Sequence, residues 1–243
     1  MPSASPGRAN LVSIVVPTYQ EVENIPLLVP RIDQVLREAD LAGEIIIVDD
    51  DSGDGSVEAV ASLTRQGLPV RIIVRRGERG LSTAVLRGFD ASAGEHLVCM
   101  DADLSHPPEV IPEMVALLDG GRAEFVLGSR FCTGGSTDAA WGVRRWLNSR
   151  TAQMLALPLV RLYDPMAGFF ALPRQVYLRG RGLNPIGYKI ALELIIKCRC
   201  RPIREVPIHF TERRLGKSKL SITEQLNYLR HLYRLYRFRV CGE

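Results

Sequence analysis

This chain lacks most of what marks a secreted or membrane-spanning protein. Its five cysteines, Cys99, Cys132, Cys198, Cys200 and Cys241, are odd in number and scattered, which argues against a disulfide framework and offers none of the paired spacings of a zinc site. They read as reduced thiols, so the expected compartment is the cytoplasm. No apolar run approaches the ~18 residues needed to span a bilayer, and any membrane role is expected to be peripheral or borrowed from a partner. Residues 1–10 are rich in Pro, Ser and Ala without an apolar centre, and read as a flexible tail rather than a signal peptide. Histidine is scarce, with four in all, which leaves few candidates for a general base. Internal repeats, low-complexity segments and a clear interdomain linker are missing too. Basic residues do not interleave with aromatics along a strand face, so no nucleic-acid partner is expected.

What remains is ordinary globular usage, 46% apolar and 24% charged over 243 residues, enough to bury a sizeable core. The net charge of +4 hides an asymmetry. Arg199 to Arg237 holds ten arginines or lysines, whereas Glu44 to Asp54 holds five acids. The C-terminal third is the basic pole.

Along the chain, apolar runs alternate with helical periodicity. Leu11 to Val16 reads as a strand stopped by Pro17, and Glu21 to Arg37 as a helix. Glu44 to Val48 is a continuous apolar run of the kind found inside a parallel sheet. A helix over Ser56 to Arg65, a strand over Val70 to Val74, a helix over Gly80 to Ala91 and a strand over Leu97 to Met100 follow. Pro112 to Leu118 and Ala123 to Leu127 continue the alternation. Right-handed crossovers then predict an α/β fold, a doubly wound, mostly parallel sheet with helices on both faces and its ligand crevice at the carboxyl strand ends. Further on, Trp141 to Tyr163 reads as a helix broken near Pro158, Ala191 to Cys198 as a helix, and Ile203 to Phe210 as an edge strand. Arg213 to Ser221 reads as a basic loop and Ile222 to Val240 as an amphipathic helix rich in arginine and aromatics. The expected division is a tail over 1–10, one domain over 11–221 and a C-terminal amphipathic helix over 222–243.

The chemistry gathers at three strand tips: Pro17 to Glu21, Asp49 to Gly55 and Asp101 to Ser105. Asp101 and Asp103 leave the end of a buried strand two residues apart. Hard oxygen ligands at that spacing can share one divalent cation that also takes phosphate oxygens and water. The competing reading is a pair of turn or cap aspartates before Pro107-Pro108. Asp49 offers a carboxylate for purine or ribose donors, and Tyr19 a flat face for a base; Asp51 and Asp54 read better as turn and helix-cap residues.

Several stretches together resemble the inverting glycosyltransferases of family 2 with the GT-A fold, within them the dolichol-phosphate (polyprenol-phosphate) mannosyltransferase group. They are Val15 to Glu21, Ile47 to Gly55, Arg79 to Ala84, Met100 to Pro108, Gly128-Ser129-Arg130 and Glu212 to Leu220. The last, an Arg ahead of Gly-x-Ser-Lys-Leu, is the narrowest pointer to the lipid-phosphate branch. The resemblance implies that Pro17, Tyr19, Glu21, Ile47 and Asp49 hold the guanosine of GDP-mannose. It further implies that Asp101, Ala102 and Asp103 face the diphosphate and a Mg2+ or Mn2+, with Asp101 and Asp103 as the metal ligands. Arg130, Arg213 and Lys219 become the cations for phosphate oxygens, a task that suits the planar fork of Arg. Gly216 and Ser218 suit a loop folded over an anion. Asp164 matches a family aspartate near the acceptor, although Ala167-Gly168-Phe169-Phe170 departs from the usual Ser-Gly-Phe-Arg, and Ser105 stands where some relatives have Gln.

The implied reaction moves mannose to a polyprenyl monophosphate with inversion. A phosphate monoester with its second pKa near ~6 is already ionised at neutral pH, so no base is needed, and the work falls to a metal and basic side chains. The implied setting is peripheral, on the cytoplasmic face of a membrane, with room for a separate anchor subunit. The helices at Trp141 to Tyr163 and Leu226 to Arg239 are the candidate interfacial elements, their alternative a core face with solvated arginines. Rival readings are another donor such as UDP-glucose, a phosphohydrolase using Asp101 and Asp103, which Leu104 to Pro107 fits badly, and a non-catalytic nucleotide-binding subunit.

Overall fold

The computed structural model describes residues 11–138, 151–211 and 222–241, the last segment with side chains from residue 226 onward. Its centre is a seven-stranded sheet in the order β3-β2-β1-β4-β7-β5-β8. The strands are β1 (Val12–Thr18), β2 (Gly43–Asp49), β3 (Val70–Val74), β4 (His96–Cys99), β5 (Phe125–Ser129), β7 (Phe170–Pro173) and β8 (Ile203–Pro207). β1 runs parallel to β2 and β4, β2 to β3, and β5 to β8; β7 alone is antiparallel to both its neighbours. The carboxyl ends of β1, β2, β4 and β5 therefore open on one edge. Because β7 is reversed, the residues leading into it arrive at that same edge.

Alternation along the inner strands sorts their side chains into two cores. Val12, Ile14 and Val16 of β1, with Ile45 and Ile47 of β2, pack beneath α1 (Ile25–Glu38), α2 (Ser56–Arg65) and α4 (Ile111–Asp119). Val15, Ile46 and Val48 face the other way, toward α3 (Leu81–Ala91) and α7 (Ile190–Lys197). That second core also takes Ala156 from α5, helical over residues 151–156, Val176 and Tyr177 from the short α6 (Arg174–Tyr177), and Tyr228, Leu232 and Leu235 from α8 (Ile222–Cys241). Gly88 lets α3 lie close on the sheet, since a Cβ there would come 2.3 Å from Val15 Cγ1. A two-stranded ribbon, β6 (Ser136–Thr137) with β9 (His209–Phe210), flanks the open edge.

The predicted doubly wound architecture is present, with several boundaries moved. β1 continues through Pro17 to Thr18. The backbone N–H and C=O positions of Val15 and Pro17 face β4, whose ladder ends at Cys99 opposite Val15, so the N–H that proline lacks has no partner to disappoint. α1 starts at Ile25 rather than Glu21, with Asn24 as N-cap and Pro26 in its first turn. β5 extends to Ser129 because it pairs with β8 along its whole length. The helix expected to Tyr163 stops at residue 156, with a turn over 157–159, as Pro158 requires; its first part, to residue 150, lies outside the described residues. The expected edge strand over Ile203 to Phe210 is two strands, β8 and β9, because Ile208 turns from one sheet to the other.

Candidate active site

One side of the edge is built by β1 and β2. Asp49, 2% exposed, accepts hydrogen bonds from the Ser52 hydroxyl (2.6 Å), the Ser52 amide (2.8 Å) and the Thr18 hydroxyl (3.2 Å). Ser52 Oγ in turn accepts the Gln20 amide at 2.8 Å. Asp49 thus locks the loop after β1 to the loop after β2. Asp54 accepts the Ser56 amide and hydroxyl and the Val22 amide, the turn read from the sequence, while the N-cap position of α2 itself falls on Gly55. Burial alone would raise its pKa, but these donors outweigh it and hold the carboxyl below its usual value.

Pro17 lies within β1, and the Ile47 side chain points into the core beneath α1 and α2, so what either offers a ligand is backbone. The Glu21 carboxylate accepts the Asn24 side-chain Nδ2–H at 2.6 Å. The Tyr19 ring carries the Arg79 guanidinium 4.6 Å from its centroid, so one face of the ring is already covered by a cation. The loop bearing Arg79 is fixed by a buried pair. Arg75 donates through Nε and Nη2 to Asp50, Asp50 accepts the Gly80 amide at 2.8 Å, and Arg75 Nη1 reaches Thr83 Oγ1 at 2.8 Å. Nothing in the sequence pattern separates Asp50 from Asp49 and Asp51, and this pairing was not foreseen.

At the tip of β4, Asp103 is 3% exposed and accepts the Ser105 hydroxyl at 2.5 Å and amide at 3.2 Å. Ser105 therefore orients an acid. Ala102 is buried in the core beneath α1 and α4. The Asp101 side chain is 25% exposed. A Cβ built on Gly168 would lie 3.5 Å from both its carboxylate oxygens and from His106 Cε1, in ordinary contact, so the Gly168 backbone lies directly against the carboxylate. His106 is 3% exposed and stacks on Phe169 (centroids 5.3 Å, 20° between planes), with a T-shaped contact to Phe210. Its Nδ1 accepts the Asp101 amide at 3.0 Å, and its Nε2 lies 3.9 Å from Asp101 Oδ2. Burial holds the His106 pKa below the usual imidazole value, against the opposing pull of the Asp101 and Asp103 carboxylates; Arg130 and Asp164 also act on it.

Arg130, at the tip of β5, forms a bidentate pair with Asp164. Nε and Nη2 donate to the two carboxylate oxygens at 2.7 and 2.8 Å, and the Arg130 amide adds a third bond at 3.2 Å. Asp164 is held in place by Glu205 of β8, which accepts the amides of Tyr163 and Asp164 at 2.8 and 2.9 Å. The guanidinium sits near Phe131 and Phe210. Phe210 thus touches both His106 and Arg130, and the acidic motif and the arginine gather around one imidazole. Arg213 and Lys219 lie outside the described residues. The chain just before them is fixed beside the acidic motif, where Thr211 Oγ1 donates to Leu104 O at 3.1 Å.

These donors suit a hard cation. Among the described residues no group of three or more His, Cys, Asp or Glu side chains could enclose a metal alone, so an ion held by Asp101 and Asp103 would complete its shell with phosphate oxygens and water, as Mg2+ and Mn2+ do.

Comparison with known proteins gives the family and the fold. The family described as Glycosyl transferase family 2 matches residues 13–179. A dolichol-phosphate mannosyltransferase of Mycosarcoma maydis is 45% identical over 234 residues, covering 93% of this chain and 79% of that protein. Its namesake in Saccharomyces cerevisiae is 45% identical over 236 residues, covering 93% and 87%. In fold, the chain is similar to glucosyl-3-phosphoglycerate synthase from Mycobacterium tuberculosis, crystallised with Mn2+, UDP-glucose and phosphoglyceric acid. The TM-score is 0.67 at 18% identity, covering 96% of this chain and 80% of that one. A sheet whose acidic strand tips face one open edge, together with these matches, makes the chain a member of glycosyltransferase family 2.

Proposed function

We propose that the protein transfers mannose from GDP-mannose to a polyprenyl monophosphate with inversion, giving a β-linked lipid-phosphate sugar. The observation that carries this is the 45% identity, over nearly the whole chain, to two proteins named dolichol-phosphate mannosyltransferase. Pro17, Tyr19, Glu21, Ile47 and Asp49 hold the nucleoside. Asp101 and Asp103 hold Mg2+ or Mn2+, which when bound neutralises the leaving nucleoside diphosphate. Arg130 is presented as a fixed cation for a phosphate, because Asp164 grips two of its nitrogens and holds the guanidinium at the tip of β5. Arg213 and Lys219 receive the acceptor phosphate. A base is dispensable here. His106 is the one imidazole beside Asp101, its Nδ1 already accepts a backbone N–H, and the acceptor arrives ionised.

The setting we propose is peripheral, on the cytoplasmic face of a membrane. Among the described residues no helix is long and apolar enough to cross one. α8 instead exposes Leu226, Leu229, Tyr233 and Val240 among Arg230, Arg237 and Arg239, and residues 154, 155 and 157 beside it expose Met154, Leu155 and Leu157. Apolar residues mixed with arginines suit an interfacial helix, and a separate anchor subunit is compatible with it.

Incubation with radiolabelled GDP-mannose, polyprenyl phosphate and Mn2+ should yield a mannolipid extractable into organic solvent. Transfer to a soluble sugar with no lipid product would refute the proposal. GDP with Mn2+ should raise the melting temperature more than UDP with Mn2+, and the reverse order would point to a uridine donor.

A further inference from the structure

We propose that His106 is a positioning residue for Asp101, fixing through its Nδ1 the backbone from which the metal-binding carboxylate projects. This rests on the reading of Asp101 and Asp103 as metal ligands. Three observations support it. The imidazole is fixed independently of any ligand, stacked on Phe169 and in a T-shaped contact with Phe210, and 3% exposed. Its Nδ1 accepts the amide of Asp101 itself, so the second residue beyond the β4 ladder is tied to a rigid ring, one step after Met100 makes the last bond to β1. With Nδ1 an acceptor, a neutral ring carries its proton on Nε2, which lies 3.9 Å from Asp101 Oδ2. One side chain thereby sets both the peptide plane and the electrostatic surroundings of the carboxylate. Partners that orient a ligand in this way typically change metal affinity by about 10–100-fold when removed.

Two substitutions separate positioning from packing. His106→Asn keeps an acceptor near the Nδ1 position but loses bulk; His106→Leu keeps bulk against Phe169 and Phe210 but has no acceptor. Mn2+ binding in the presence of GDP is followed by the electron paramagnetic resonance of free Mn2+, with melting temperatures recorded for each variant and Asp101→Asn as the reference. The expected result is Mn2+ affinity within about threefold of the native protein for His106→Asn and a loss of about 10–100-fold for His106→Leu. If His106→Leu does not fold, His106→Gln, whose amide reaches the Nε2 position and leaves Nδ1 unreplaced, stands in with the same expectation. Native affinity in the leucine or glutamine variant, or equal losses in both members of the pair, overturns the inference while Asp101→Asn still loses the metal. Native affinity in Asp101→Asn overturns the metal reading beneath it.

Discussion

The Arg130–Asp164 pair makes a demanding test, because it joins the arginine at the tip of β5 to the loop that leads into β7. In Asp164→Asn the side chain keeps its shape but loses its charge and one acceptor, and its amide is set against the guanidinium. Three bonds to the carboxylate, at 2.7, 2.8 and 3.2 Å, are lost or weakened. Asp164 is 1% exposed and the Arg130 side chain 13%, so water can relieve only part of the uncompensated cation. Removing one member of a buried pair costs about 3–5 kcal/mol, and the partial exposure of Arg130 places the expectation near the lower end, about 3 kcal/mol. With a urea m-value of about 2 kcal/mol/M, the midpoint should fall by roughly 1.5 M at unchanged m. Activity should fall further than stability explains, since a freed arginine misplaced by about 1 Å reduces turnover by about 10²-fold. A double-mutant cycle with Arg130→Met should show the double variant less destabilised than the sum of the singles, by at least about 1.5 kcal/mol. Additive singles, or a midpoint shift under about 0.3 M, would refute the coupling.

That pair also marks where sequence reasoning stopped. Periodicity found the sheet because β1, β2 and β4 are buried on both faces and their continuous apolar runs admit no other placement. The acids at the strand tips were legible for the same reason, since a carboxylate directly after such a run has to find hydrogen-bond donors in the loop that follows, as Asp49 and Asp103 do while staying buried. Pairings between distant loops were not legible. Asp164 meets Arg130 only because β7 is reversed between β4 and β5, and reversal leaves no mark on a four-residue strand. Arg75 with Asp50, and Arg79 on Tyr19, depend likewise on the close approach of neighbouring strand tips. His106 is legible as the histidine nearest the motifs, and an imidazole three residues after Asp103 and just before two prolines cannot continue a helix and is brought back toward the strand tip. Even so, its contact with the Asp101 amide needed coordinates.

The remaining predictions reach the site, the sheet and the last helix. Asp103→Ala and Lys219→Ala should each lower mannolipid formation by about 10²-fold or more, and native rates in both would remove the proposed roles. Gly88→Ala should lower stability by about 1–3 kcal/mol in thermal unfolding, because the new methyl would meet Val15 Cγ1 at 2.3 Å and Val48 Cγ2 at 3.1 Å; an unchanged melting temperature would mean that α3 can slide. The docking of α8 should depend on acid. Glu193, on α7, accepts from His231 of α8 at 2.6 Å, from the Asn184 amide at 2.8 Å and pairs with Lys197 at 2.7 Å. Burial would raise its pKa, but these partners outweigh it and lower the value to about 2. A carboxyl depressed in the folded state contributes stability in full above its unfolded value near ~4.3 and loses it as pH falls toward the folded one, here roughly 3 kcal/mol between about pH 5 and pH 2. Glu193→Gln should therefore be less stable than the native protein at pH 7, with the difference shrinking as pH falls through that window. A difference constant from pH 7 to pH 2 would show that the carboxylate's charge contributes nothing to holding α8 on the core.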